Sequence, residues 1–264
     1  MAYRGKLGLL VFCTGGALFP LSAQRVVSAR AGLLTYLQGS AFIDGKPVVL
    51  KAARFRQLKD GETLSTDPGR SRVEILLAPG IVLRLAENSQ VRMDHTELSD
   101  TRVTLQQGEA LIEVVQLAEG NRIQVAVGET TTEPIRPGVY RIGKSQNATL
   151  RVYGGEALVR CGLKTADAKR GMAVSLDAAL AVSRFDRKQT DFFYTWAARR
   201  SFDLFMSDPD ARKQTHWQLV PGGYMANKNF GVEFRASIRR GSASVPGRPA
   251  VPPAEIGPGT NPIP

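Results

Sequence analysis

Apolar and polar residues alternate along short runs of this chain, and turn residues separate the runs. Ser71-Arg-Val-Glu-Ile-Leu-Leu alternates, Ala78-Pro79-Gly80 turns the chain, and Ile81-Val-Leu-Arg-Leu85 resumes. Thr101-Arg-Val-Thr-Leu105 alternates in the same way. A period of two places successive side chains on opposite faces of a strand. Turn pairs recur at Asp44-Gly45, Asp60-Gly61, Pro79-Gly80, Gln107-Gly108, Pro137-Gly138 and Gly154-Gly155. The pattern predicts an all-β body over residues 24–180, with stacked β-hairpins forming a β-solenoid or a twisted β-sandwich.

A repeat underlies the alternation. Leu58-Lys-Asp-Gly61-Glu-Thr-Leu64 resembles Leu105-Gln-Gln-Gly108-Glu-Ala-Leu111, and both resemble Val152-Tyr-Gly-Gly155-Glu-Ala-Leu158. The three central glycines are equally spaced. Each unit reads as strand, tight turn and strand, with glycine supplying positive φ at the turn. One hairpin cannot cover its own apolar face, so stacked units would share a core. Gly61, Gly108 and Gly155 are therefore expected at equivalent turns, in two related halves. Glu62, Glu109 and Glu156 fall at matching places. They read as solvated turn residues, or alternatively as a ligand ladder if the carboxylates converge on one another or on basic side chains.

Past the β body the periodicity changes. Residues 187–207 predict a helix whose apolar stripe of Phe192, Phe193, Trp196 and Ala197 packs on the β body. Asp208-Pro209 ends it. Residues 208–240 read as late strands or an extended segment. Residues 241–264 are rich in Pro, Gly and Ser and predict a disordered tail.

The N-terminus has the anatomy of a signal peptide over residues 1–23. Arg4 and Lys6 precede an uncharged apolar stretch, and Ser22-Ala23 offers a cleavage site between Ala23 and Gln24. The chain is then expected in the periplasm or secreted. Leu21 is bulky for its place before the cut, so an uncleaved inner-membrane anchor formed by residues 7–23 is the alternative.

Composition adds a basic balance. The formal charge is +11 at pH 7 and 43% of residues are hydrophobic, enough for a buried core. The basic residues come as scattered pairs such as Arg70 and Arg72, without an aromatic stacking signature, so no specific nucleic acid is expected. The excess suits an anionic polymer or an envelope protein. Membrane contact is expected at most through an uncleaved N-terminus. Cys13 lies in the apolar stretch; Cys161, beside Val159 and Leu163, reads as a buried strand position.

Candidate chemistry is sparse. His95 and His216 are far apart in sequence. Asp94, His95 and Glu97 match no standard metal spacing and read as a surface loop. No His-Glu-x-x-His, Gly-x-Ser-x-Gly or phosphate-loop pattern occurs. No catalytic residue, metal or cofactor is expected.

The order of motifs resembles the FecR-like domain family. It is carried by Leu58-x-x-Gly61-x-x-Leu64, Pro79-Gly-Ile-Val-Leu-Arg-Leu85 and Asn88-Ser-Gln-Val-Arg-Met93, with Gly138–Ile142 and Leu150–Val159 as continuation. The resemblance implies an extracytoplasmic β module, in a family best known from regulators that relay iron-uptake signals to an anti-sigma segment. Only six residues precede Leu7, so that segment is not expected to carry over. The chain is thus expected to be a non-catalytic exported module for envelope sensing, scaffolding or protein and polymer binding. The alternative is a secreted hydrolase or carbohydrate-acting protein on a β scaffold.

Overall fold

The computed structural model describes residues 30–50, 56–207, 217–220 and 224–235. In chain order the first strands are β1 (Leu33–Gln38), β2 (Ala41–Ile43), β3 (Lys46–Pro47), β4 (Thr63–Thr66), β5 (Arg72–Ala78), β6 (Ile81–Leu85), β7 (Gln90–His95) and β8 (Thr101–Val114). They are followed by β9 (Ile123–Val127), β10 (Thr130–Pro134), β11 (Gly138–Lys144), β12 (Thr149–Gly154), β13 (Glu156–Cys161), β14 (Lys164–Lys169), β15 (Met172–Ser175) and β16 (Val182–Arg184). Helix α1 (Phe192–Ser207) comes next, and β17 (Trp217–Val220), β18 (Tyr224–Asn227) and β19 (Val232–Arg235) then form a separate antiparallel sheet.

The sixteen described strands before α1 make two open layers that share β8. The first layer runs β1-β5-β6-β8-β11-β12-β15-β16. The second runs β3-β2-β4-β7-β8-β9-β10-β13-β14. Pairing is antiparallel throughout except between β8 and β9. The body is all-β, as the alternation predicts, and among the described residues a single α-helix follows it.

Alternation explains the sandwich. Val73 and Ile75 on β5, Leu83 and Leu85 on β6 and Ile142 on β11 point inward from the first layer. Val91 and Met93 on β7, Val103 and Leu105 on β8 and Val125 on β9 meet them from the second. Each such side chain contributes about 1.5–3 kcal/mol on leaving water.

Strand β8 changes layer partway along. Its N-terminal half pairs with β7 and β9, its C-terminal half with β6 and β11. Val103 and Leu105 face the core in the first half; Ala110, Ile112 and Val114 do so in the second. The inward parity flips between them, which needs an irregular residue. Gly108 supplies it with φ +79°. A Cβ there would stand 2.6 Å from the Asn88 carbonyl oxygen. Gly155, with φ +86°, turns the corner between β12 in the first layer and β13 in the second.

Helix α1 lies over the outer face of the first layer. Phe193, Tyr194, Ala197 and Ala198 bury against Ala86, Leu111, Val139 and Tyr153, together with Phe230. Asp191 caps the helix: its Oδ1 accepts from the Tyr194 amide at 2.9 Å. Further along, Phe202 packs with Trp217 and Met225. None of the described helices is long and apolar enough to cross a membrane.

Candidate functional site

The face under α1 is more polar than its burial suggests. Outward positions of the first layer alternate with the core positions, so Arg72 and Glu74 on β5, Arg84 on β6, Glu109 and Glu113 on β8 and Arg141 on β11 all point toward the helix side. Glu74 and Arg84 are directly opposite in register. Glu113 is diagonal to Arg84, because Arg84 faces Leu111 across the β6–β8 pair.

Arg84 is wholly buried. Its Nε donates to Glu74 Oε2 at 2.9 Å, and its Nη1 donates to Glu113 Oε2 at 2.7 Å. Both carboxylates have second partners. Thr35 Oγ1 donates to Glu74 Oε1 at 3.0 Å, with Arg200 Nη2 3.5 Å from the same oxygen. Ser201 Oγ, on α1, donates to Glu113 Oε1 at 2.7 Å and accepts from Trp217 Nε1 at 3.1 Å. Burial disfavours the Arg84 charge, but Glu113 and Glu74 outweigh it and hold the guanidinium above its ordinary range. Two carboxylates and two guanidiniums leave this cluster without net charge.

A second cluster fixes the start of the helix. Arg141 Nη2 donates to both Glu109 and Asp191. Burial again opposes the Arg141 charge, and these two carboxylates overcome it. Asp191 is buried enough for its charge to be disfavoured, yet the bonds from Arg141 and from the Tyr194 amide hold its carboxyl below the usual value.

Two clefts stand out among the described residues, one of them beside the second cluster. One, of about 440 Å³, lies between the Gly108 corner and the start of α1, with Arg72, Glu87, Glu109, Asp191 and Phe192 among its walls. The other, of about 570 Å³, is lined by Arg30, Arg56, Gln57, Leu58, Lys59, Asp60 and Thr96. Arg56 is paired there with Glu62 at 2.6 Å, and Asp60 accepts from Thr96 Oγ1 at 2.6 Å. Arg30 and Lys59 stay exposed on its rim.

The residues singled out in the sequence are dispersed over this framework. Gly61 sits in the turn before β4, with φ +83° and open space where a Cβ would stand. Gly108 lies inside the continuous strand β8, not in a turn between strands, and Gly155 lies at a corner between β12 and β13. Glu62, Glu109 and Glu156 each meet a different arginine: Arg56, Arg141 and, at 3.2 Å, Arg136. On α1, Phe193 is buried and Trp196 is partly buried, but Phe192 is 64% exposed. The packed stripe is instead Phe193, Tyr194, Ala197, Ala198, Ser201 and Phe202. It is shifted by one residue, and the helix starts at Phe192, five residues later than expected. Ala23, Gln24, the expected signal peptide, His216 and the segment 241–264 lie outside the described residues.

The remaining chemistry-bearing residues have structural partners. His95 Nδ1 is 2.8 Å from the Asp100 carbonyl oxygen. Asp94 accepts from Arg92 Nε at 2.6 Å and from Thr104 Oγ1 at 2.5 Å. Cys161 is a free thiol, partly buried against the core. Among the described residues no group of three or more His, Cys, Asp or Glu could hold a metal ion.

The buried cluster of Glu74, Arg84 and Glu113 was not evident from alternation, which assigns such polar positions to solvent. A signal was present. Ala110-Leu-Ile-Glu-Val114 and Gly138-Val-Tyr-Arg-Ile142 carry apolar residues at both parities, the mark of a strand covered on both faces.

None of the curated proteins matches the chain. Two crystal structures of "a putative anti-sigma factor from Parabacteroides distasonis" are similar in part. One has 14% identity and TM-score 0.40, covering 47% of this chain and 59% of that one. The other has 14% identity and TM-score 0.41, covering 56% of this chain and 78% of that one. The chain thus spans less than two thirds of the first structure. Residues 62–160 match the family described as FecR protein. That span runs from β4 to β13 and contains the Gly108 and Gly155 corners and both acidic partners of Arg84: the chain carries a FecR-like domain.

Proposed function

We propose that the chain is a non-catalytic exported module that binds an envelope protein or an anionic envelope polymer. The supporting observation is the 570 Å³ cleft beside β1, where Arg30, Arg56 and Lys59 outnumber two acids, Asp60 in the wall and Glu62 paired with Arg56. A surface of this kind attracts anionic groups at long range and is screened by salt. Residues 24–180 form the binding body in two related halves, α1 and the late strands brace its first layer, and the tail is a spacer. Residues 1–23 direct export.

Capture from envelope extract on the full chain tests this. A partner should be retained at low salt and released at high salt, and Arg30→Ser with Lys59→Ser should reduce capture. In a Gram-negative host the protein should be recovered outside the cytoplasm, beginning near Gln24. Turnover of a glycan, ester or peptide by pure protein, abolished by changing one carboxylate, would establish the hydrolase instead.

A further inference from the structure

The cleft at the start of α1 sets one uncommitted cation among several acids. Arg72 is 3% exposed, and its Nε and Nη1 are buried without a hydrogen-bond acceptor among the described residues. Its guanidinium lies over two rings, with Cζ 4.6 Å from the Phe192 centroid and 5.3 Å from that of Trp196. A buried guanidinium without a bonded acceptor is costly, so a site that supplies an acceptor gains from it. The first turn of α1 adds a partial positive charge on the same side.

A simple anion would also meet Glu87, Glu109 and Asp191. Glu87 is held by the Arg70 amide, while Glu109 and Asp191 share Arg141. The side chains of Glu109 and Asp191 remain 40% and 50% exposed, so both still present acceptor surface. A ligand suited to both signs carries a carboxylate and an ammonium on one small frame. Phe192, 64% exposed, adds an apolar wall beside them.

We propose that this cleft binds a zwitterionic α-amino-acid group. Its carboxylate reaches the Arg72 guanidinium in the cleft wall, its ammonium lies among the carboxylates of Glu87, Glu109 and Asp191, and its side chain rests on Phe192. The group could come from a free amino acid or from the amino-acid end of a branched peptide. The inference does not depend on the envelope-binding proposal, which concerns the other cleft.

Titration calorimetry on the full chain tests it, using free L- and D-amino acids and a tripeptide whose diaminopimelate residue leaves one amino-acid end free. At least one probe should bind saturably, and acetate and methylamine should not. Arg72→Met should weaken binding about tenfold or more, since a charge-assisted hydrogen bond is lost. Phe192→Ala, at an exposed position that leaves the fold intact, should weaken it as well. Arg122→Met, on the second layer, should leave it unchanged. Binding of free amino acids assigns them as the source; binding of the tripeptide alone assigns the branched peptide. Absence of saturable binding by every probe overturns the proposal. So does binding indifferent to both Arg72→Met and Phe192→Ala, or equal binding of acetate.

Discussion

Ser201 on α1 and Glu113 on β8, eighty-eight positions apart in the chain, meet through a 2.7 Å hydrogen bond in a buried setting. The bond ties the helix to the charge cluster beneath it. Ser201→Ala should cost about 1–3 kcal/mol, because a buried carboxylate oxygen loses its donor. Chemical denaturation measures the loss. Ser201→Thr, which keeps a hydroxyl, should recover part of it; equal losses in both variants would mean that packing, not the bond, matters at this position.

Arg84 is held between two acids with almost no solvent. Arg84→Met should destabilise by about 3–5 kcal/mol, since it strands two buried carboxylates. Adding Glu74→Leu and Glu113→Leu should return part of that stability, because the stranded carboxylates are gone, while Arg200, Thr35 and Ser201 lose their acceptors. A triple variant no more stable than the single one would refute the electrostatic account.

The three repeat glycines should not respond alike. Gly61→Ala meets open space and should cost about 1–2 kcal/mol, the penalty of a left-handed backbone alone. Gly108→Ala and Gly155→Ala add collisions: at Gly155 a Cβ would stand 2.7 Å from the Pro137 carbonyl oxygen and close to the Tyr140 hydroxyl. Both should cost clearly more than Gly61→Ala in thermal melts. Equal costs would show that the corners relax freely.

Acid should loosen particular pairs first. Asp191 and Glu133 are both held below their ordinary values of 3.8 and 4.5, burial being outweighed at Glu133 by bonds from Arg122, Arg160 and Gln124. A depressed folded value means that the stability these carboxylates confer is present above their ordinary values. It is lost as the pH falls through the lower folded ones. Stability should therefore be level above about pH 5 and decline below it. Asp191→Asn should flatten part of the decline, as read from denaturation midpoints against pH.

Much of the β framework was legible from alternation and turns. Ile81–Leu85 is β6 with its expected boundaries, and Pro79-Gly80 is the turn before it. Gly108 was harder, because a corner within a strand uses the same residue as a turn between strands. Only the partners of β8 on both sides distinguish the two. Phe192 misled because an aromatic residue at a helix start joins the apolar stripe by spacing alone; its ring instead lies beside Arg72. Alternation by itself assigns a polar strand residue such as Arg84 to water. That inference fails once a helix more than a hundred residues later covers the face, which local pattern cannot encode.

Because β8 serves both layers, neither can separate from the other without breaking its pairing. A load applied across the sandwich would pass through this one strand, and the amides of Val103 and Ile112 should exchange with solvent at similar, slow rates although they lie in different layers. The joint thus makes the two sheets a single mechanical and cooperative unit, able to carry a pull at one edge to the face beneath α1.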